Sequence, residues 1–200
     1  MDFIELVKGF LLSPVETFQK VRKADLGDAL KYYMILVVIH AVLNVIISLV
    51  AVSAIWVAFS SIFENLGIVV PAIVGFGIII AAILMIFVYL LVLFIGAAWL
   101  YIFVFLLGGR KGYVETLKAI GYGSTPFFLL GWIPLIGFIG AIWSFVLAIF
   151  GVRELQAMST GRAAAAVILA VVVLLIIIIL IASFFIIAFT SMSPVPITPL

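Results

Sequence analysis

Two apolar runs, 72–107 and 163–190, pass without a single charged residue. As one helix the first would be ~54 Å long, well beyond the ~30 Å hydrocarbon core of a bilayer. The chain is 200 residues long, 68% hydrophobic and 9% charged. Soluble domains run near 45–50% apolar and 25% charged, so this chain has too little polar surface to face water. Lipid is its solvent, and the expected class is an all-α, polytopic integral membrane protein with one membrane domain. Cysteine is absent, which removes disulfides, thiolate metal sites and cysteine nucleophiles. The first thirty residues mix both charge signs without a signal-peptide pattern, so the first span is expected to act as its own insertion signal.

Residues 1–31 form a cytoplasmic, interfacial segment in this reading. Phe3, Ile4, Val7, Phe10 and Leu11 recur at helical spacing against Asp2, Glu5 and Lys8. That describes a short amphipathic helix lying in the membrane interface, with a membrane anchor as the plainer role and a partner-binding segment as the other. Ser13-Pro14 restarts the chain into a second polar helix, VETFQKVRK, and Asp28 caps or begins the approach to the first span. The membrane domain, 32–190, divides into five predicted spans at about 32–62, 78–107, 114–132, 136–156 and 163–190. Gly75 and Gly77 suggest an interfacial or re-entrant piece ahead of span 2, and Gly96-Ala97-Ala98 a close-packing patch within it. Span 4 offers Gly137/Ala141 and the series Gly140, Ser144, Ala148, small residues four apart that let another backbone approach. The tail, 191–200, is uncharged and proline-rich, expected to be extended and mobile on the non-cytoplasmic side.

The basic residues test the five-span count. Lys8, Lys20, Arg22, Lys23 and Lys31 precede span 1; Arg110, Lys111 and Lys118 lie between spans 2 and 3; Arg153 and Arg162 lie between spans 4 and 5. All ten fall on one side, which the positive-inside rule makes cytoplasmic. Arg110, Lys111, Arg153 and Arg162 are thus topology-setting, with the N-terminus inside and the C-terminus outside. The most unusual stretch is 108–134. It joins the turn Gly108-Gly109-Arg110-Lys111-Gly112, a Glu115/Lys118 pair three residues apart, and Gly121, Gly123 and Pro126, which weaken the helix of span 3.

Polar chemistry inside the spans is sparse. His40, Asn44 and Ser48 recur every four residues on one face of span 1, with His40 ~12 Å along the helix from Tyr32. Such a face should point into the bundle, either for interhelical hydrogen bonds or as a proton- or ion-responsive site. One histidine cannot make a zincin motif, and Ser124 with His40 is the only formal serine–histidine pair, without the second glycine of a nucleophile elbow. The expectation is no enzyme, no metal and no cofactor, with the lipid bilayer and other membrane proteins or a second copy as partners, and no nucleic acid.

Several motifs, in order along the chain, resemble the Yip1 domain family of five-span membrane proteins. Pro14-Val15-Glu16-Thr17-Phe18 is similar to the family's P-x-E-x-F segment before span 1. The glycine turn followed by Tyr113-x-Glu-Thr, and then Gly121-Tyr122-x-x-x-Pro126, is similar to its GY-x-x-x-P signature. The link from Gly151, Arg153 and Glu154 to Ser159, Thr160 and Arg162 is similar to its span 4–5 connection. The resemblance implies five helices with a cytoplasmic N-terminus. Eukaryotic members act in vesicle traffic and bind Rab GTPases; this chain departs from them in its short polar segment before span 1. It looks more like the short prokaryotic members, in a plasma membrane, acting as an interaction or membrane-organising component. A transporter or channel for a small solute, ion or lipid, using the span 1 polar face and the broken span 3, is the other reading.

Overall fold

The computed structural model describes residues 2–65 and 71–192, the side chains of 63–64, 71–73 and 191–192 excepted. The predicted outer loop around Gly67 and the tail beyond Met192 lie outside the described residues. Among the described residues every regular element is helical. Helix α1 (Phe3–Leu12) is capped by the Asp2 carboxylate, which accepts from the Phe3 N–H at 2.8 Å. Helix α2 (Pro14–Val21) opens on proline at its first position and stops two residues short of the predicted VETFQKVRK. Helix α3 (Leu26–Asn65) starts six residues before Tyr32, because Asp25 rather than Asp28 caps it: its carboxylate accepts from the Asp28 N–H at 2.7 Å.

Helix α4 (Pro71–Leu106) is continuous through Gly75 and Gly77, so the expected re-entrant piece is absent. In lipid no water competes for the backbone, and glycine does not end a helix as it does in solution. Of Gly96-Ala97-Ala98 only Ala97 is buried, and nothing lies within 4 Å of where a Cβ on Gly96 would stand. The predicted third span is two short helices, α5 (Tyr113–Gly123) and α6 (Thr125–Leu130), followed by α7 (Ile136–Leu155) and α8 (Thr160–Met192). Four described helices, α3, α4, α7 and α8, are long and apolar enough to cross a bilayer. With the large apolar residues exposed on their outer faces, they make this a multi-pass integral membrane protein.

The packed core is concentrated toward one end. It draws on Phe10 and Phe18 from the N-terminal helices, Tyr32 to Val37 of α3, Leu93 to Val104 of α4, Leu117 to Phe128 of α5–α6, Leu147 to Leu155 of α7 and Ala163 to Ala170 of α8. The apolar face of α1–α2 therefore packs on the protein itself, leaving Ile4 and Leu12 exposed. The basic residues gather at this end. Lys118 Nζ donates to the Arg22 carbonyl at 3.3 Å, Gln19 donates to Glu154 at 3.2 Å, and a Cβ on Gly108 would lie 3.5 Å from the Arg162 guanidinium.

Candidate functional site

The site is built around the break between α5 and α6. Pro126 has no N–H to give the Tyr122 carbonyl four residues earlier. The Thr125 hydroxyl donates to that carbonyl instead, at 2.6 Å, and having spent its proton it accepts from Tyr32 Oη at 2.8 Å. Ser124 Oγ donates to the Ile120 carbonyl of its own helix at 2.8 Å. On the far side of the break the freed Phe127 N–H donates to Ser144 Oγ of α7 at 2.9 Å. The proline thus costs one bond, and a threonine and a serine restore the satisfaction that a buried backbone requires.

Helix α7 lies against this break on its small residues. A Cβ on Gly140 would stand 2.7 Å from the Pro126 carbonyl oxygen, one on Gly123 3.3 Å from the Ala148 nitrogen, and one on Gly137 3.0 Å from the Gly131 backbone. The series Gly140, Ser144, Ala148 therefore does what its spacing predicts, while Ala141 faces outward. Gly121 is different. It is buried, yet an added Cβ would meet Leu93 and Tyr33 only at 3.9 Å, so the close backbone approach sits at Gly123 and Gly140 instead.

His40 joins three helices. Its Nδ1 lies 3.0 Å from the Phe128 carbonyl, which can only accept, so Nδ1 carries the proton and Nε2 accepts from the Tyr89 hydroxyl at 3.3 Å. Phe128 lies in the last turn of α6, where carbonyls lack intrahelical partners. The rings of Tyr89, Phe127 and Phe128 pack around the imidazole at 5.4–5.6 Å. Asn44 turns back to donate to the His40 carbonyl at 2.9 Å, and Ser48 is half-buried on the same face. The predicted polar face is therefore one interhelical histidine with two local neighbours. Ser124 and His40 are each engaged with other partners.

At the basic end, Gly108 and Gly112 take the positive φ values, +101° and +96°, that shape the turn after α4. Buried Gln156, the C-cap of α7, holds this turn. It accepts from the Lys111 N–H at 3.0 Å and donates to the Gly112 carbonyl at 2.7 Å and to Thr116 Oγ1 at 3.0 Å. Arg110 lies over the Phe105 ring, 4.1 Å from its centroid, and Arg153 pairs with Glu154 at 2.6 Å. The predicted Glu115–Lys118 pair forms at 3.1 Å, with Lys118 buried and Glu115 Oε2 enclosed without a hydrogen-bond partner. Among the described residues no three His, Asp or Glu side chains gather as a metal centre would need. The sequence reading did not single out Gln156, Thr125 or Tyr89, and it met Thr116 only as the last residue of the Tyr113-x-Glu-Thr motif. Thr125 had a signal, since a hydroxyl beside a proline can serve the carbonyl the proline abandons; Gln156 had none.

Comparison with curated proteins and with solved structures found no match. The Yip1 domain matches residues 8–183, a stretch that takes in Phe18, the Gly121-Tyr122-x-x-x-Pro126 break and the Gln156 latch described above. With most of its length matched, the chain belongs to the Yip1 domain family.

Proposed function

We propose that this protein is a non-enzymatic interaction or membrane-organising component of the Yip1 type, in the plasma membrane of a prokaryote. The observation that carries this reading is that the polar groups of the broken helix are committed to holding helices together. Both His40 nitrogens are occupied, Thr125 is spent on the Tyr122 carbonyl and Tyr32 on Thr125, and Tyr33 donates to the Tyr89 carbonyl at 2.9 Å. The cavities at the basic end, one lined by Lys20, Lys23 and Lys31 and another by Glu5, Lys8 and Glu16, are lined by none of His40, Asn44 and Ser48. A solute path would instead need these groups turned toward a wet cavity. The exposed outer halves of α3, α4 and α8 leave ample surface for partner helices or a second copy. Proteoliposomes carrying the purified chain are expected to show no solute or ion flux above empty liposomes between about pH 5 and 8. Membrane crosslinking should in parallel trap a stable helical partner. Flux that disappears in His40→Ala would establish the transporter reading instead.

The finer topology follows from charge and length. The clustered basic residues support a cytoplasmic N-terminus, with α8 ending on the far side. Five crossings satisfy this, and so do three crossings by α3, α4 and α8 with an α5–α7 hairpin that enters and leaves on the basic side. The place of the turn along α3 favours the hairpin. Helix α3 has 40 residues and α4 36, about 60 Å and 54 Å, whereas α7 has 20 and reaches about 30 Å. The hairpin turn stops beside His40, where a Cβ on Gly131 would lie 3.3 Å from the imidazole, while α3 continues for ~37 Å beyond. That turn, GWIPLIGF, carries no charge, and its Leu135 is 91% exposed. An uncharged turn avoids the cost of a charge in hydrocarbon, and its backbone is served locally, the Ile133, Ile136 and Gly137 N–H groups donating to the Leu130, Pro134 and Ile133 carbonyls. The chain has no cysteine, so single cysteines can report depth directly. Leu135→Cys is expected to resist a charged maleimide from both sides of sealed vesicles. Lys111→Cys should label from the basic side and Asn65→Cys from the other. Labelling of Leu135→Cys from the Asn65 side would restore five crossings.

A further inference from the structure

A cavity of about 520 Å³ opens where α1 and α2 meet the start of α3. Its polar rim carries Lys20, Lys23 and Lys31 together with Asp28, and its apolar wall includes Leu6 and Ile35. None of the three ammonium groups takes part in an ion pair with a described residue, so the rim holds two net positive charges. Tyr122 closes the back. It is 1% exposed, its ring held 5.2 Å from Phe10 and 5.3 Å from Tyr32. The buried tyrosines beside it use their hydroxyls, Tyr32 on Thr125 and Tyr33 on the Tyr89 carbonyl. The Tyr122 hydroxyl bonds to no described residue, and it is not among the sealed polar atoms, so it faces the cavity that Tyr122 lines.

Helix α3 continues the site into the bilayer. Asp28, Lys31, Ile35, Val38, Val42 and Ile46 follow one another at spacings of three or four, hence along one face. The last four are all exposed. Polarity therefore falls from carboxylate through ammonium to an unbroken apolar stripe, the profile of a phospholipid from headgroup to acyl chain.

We propose that this cavity binds one anionic phospholipid. Its phosphate accepts from the Tyr122 hydroxyl and lies among the ammonium groups of Lys20, Lys23 and Lys31, and an acyl chain follows Ile35 to Ile46. Asp28 disfavours a second negative charge, which suits a phosphodiester headgroup better than a phosphomonoester. The proposal needs the basic end at the membrane surface and is independent of the number of crossings and of any transport.

Native mass spectrometry of the detergent-solubilised full chain tests it, with phosphatidylglycerol and phosphatidylcholine of matched acyl chains. Wild type is expected to retain the anionic lipid about 25-fold better, since each nearby cation is worth about fivefold and Asp28 offsets one of the three. The triple variant Lys20→Gln, Lys23→Gln, Lys31→Gln should bring the two lipids within about twofold of each other. Tyr122→Phe removes only an unpartnered hydroxyl; it should lower retention about fivefold at an unchanged thermal midpoint. The charge-matched control Lys8→Gln, Lys111→Gln, Arg162→Gln should keep the preference. Equal loss in that control, or unchanged retention in Tyr122→Phe or in the cavity triple, would overturn the site. Glycerophosphoglycerol, the same phosphodiester headgroup without acyl chains, is expected not to compete at millimolar concentration; competition would assign the cavity to a soluble phosphate ester and overturn the lipid.

Discussion

Gly140→Leu is expected to separate α7 from the broken helix and to cost about 3 kcal/mol or more, the upper range for overpacking. The first atom of any side chain there would stand 2.7 Å from the Pro126 carbonyl oxygen and 3.0 Å from Leu130 Cβ. The nearer of these is backbone and cannot rotate aside. Even Gly140→Ala should cost about 1–3 kcal/mol. Separation would also strip the Phe127 N–H of Ser144 Oγ and leave a donor unsatisfied beside the break. Two controls isolate the cause. Gly121→Ala places its Cβ at 3.9 Å from its neighbours, and Gly96→Leu projects into open space, so each should stay within about 0.5–1 kcal/mol of wild type. Unfolding in mixed micelles, followed by loss of helix on titration with a denaturing detergent, gives the ranking. A Gly140→Leu variant as stable as Gly121→Ala would remove the argument for backbone contact at α7.

How far the fold was legible depended on whether a pattern has one physical cause. Apolar runs such as 163–190 have one solvent that suits them, and a helix at that position follows. Charge placement likewise gathers Arg110, Arg153, Arg162 and Lys118 at one end, as the structure does. The break near Pro126 was legible because a proline in a span must leave a carbonyl unserved, and the small residues of α7 because only their faces allow close approach. Gly121 and Gly123 could not be told apart, since which glycine meets backbone depends on the rotation of α5 against α7. The partners of His40 were equally hidden: Phe128 and Tyr89 lie 88 and 49 residues away in the chain. The amphipathic pattern of α1–α2 was ambiguous by nature, because an apolar face fits lipid or protein alike. The depth proposed for the α5–α7 hairpin rests on the place of its turn beside His40, which depends on how α6 and α7 pack against α3 and not on the local sequence.

That ambiguity makes Phe18→Ala the second large effect, about 3–5 kcal/mol if the ring is core and little if it is a lipid anchor. The structure makes it core. Phe18 is fully buried, meets Phe10 edge-on at 4.8 Å between centroids, and presses on α7 where a Cβ on Gly151 would lie 2.9 Å from its Cζ. Losing the ring leaves a cavity bounded by α1, α5 and α7, which helices fixed by other contacts cannot close. The expected result is release of α1–α2 from the bundle, seen as faster amide exchange across 3–21, with α3 to α8 keeping their protection. Leu12→Ala, at an 81% exposed position, should change neither. Gly151→Leu attacks the same contact from the other side, so the double variant should fall short of the sum of the two singles. Strict additivity would mean that Phe18 and Gly151 act separately, and α1–α2 would then be held by the membrane rather than by α7. Because Leu6 and Lys20 ride on these two helices and Lys23 on the turn that follows them, release would also open the α1–α3 cavity, tying the seating of one aromatic ring to the lipid binding proposed at the basic end.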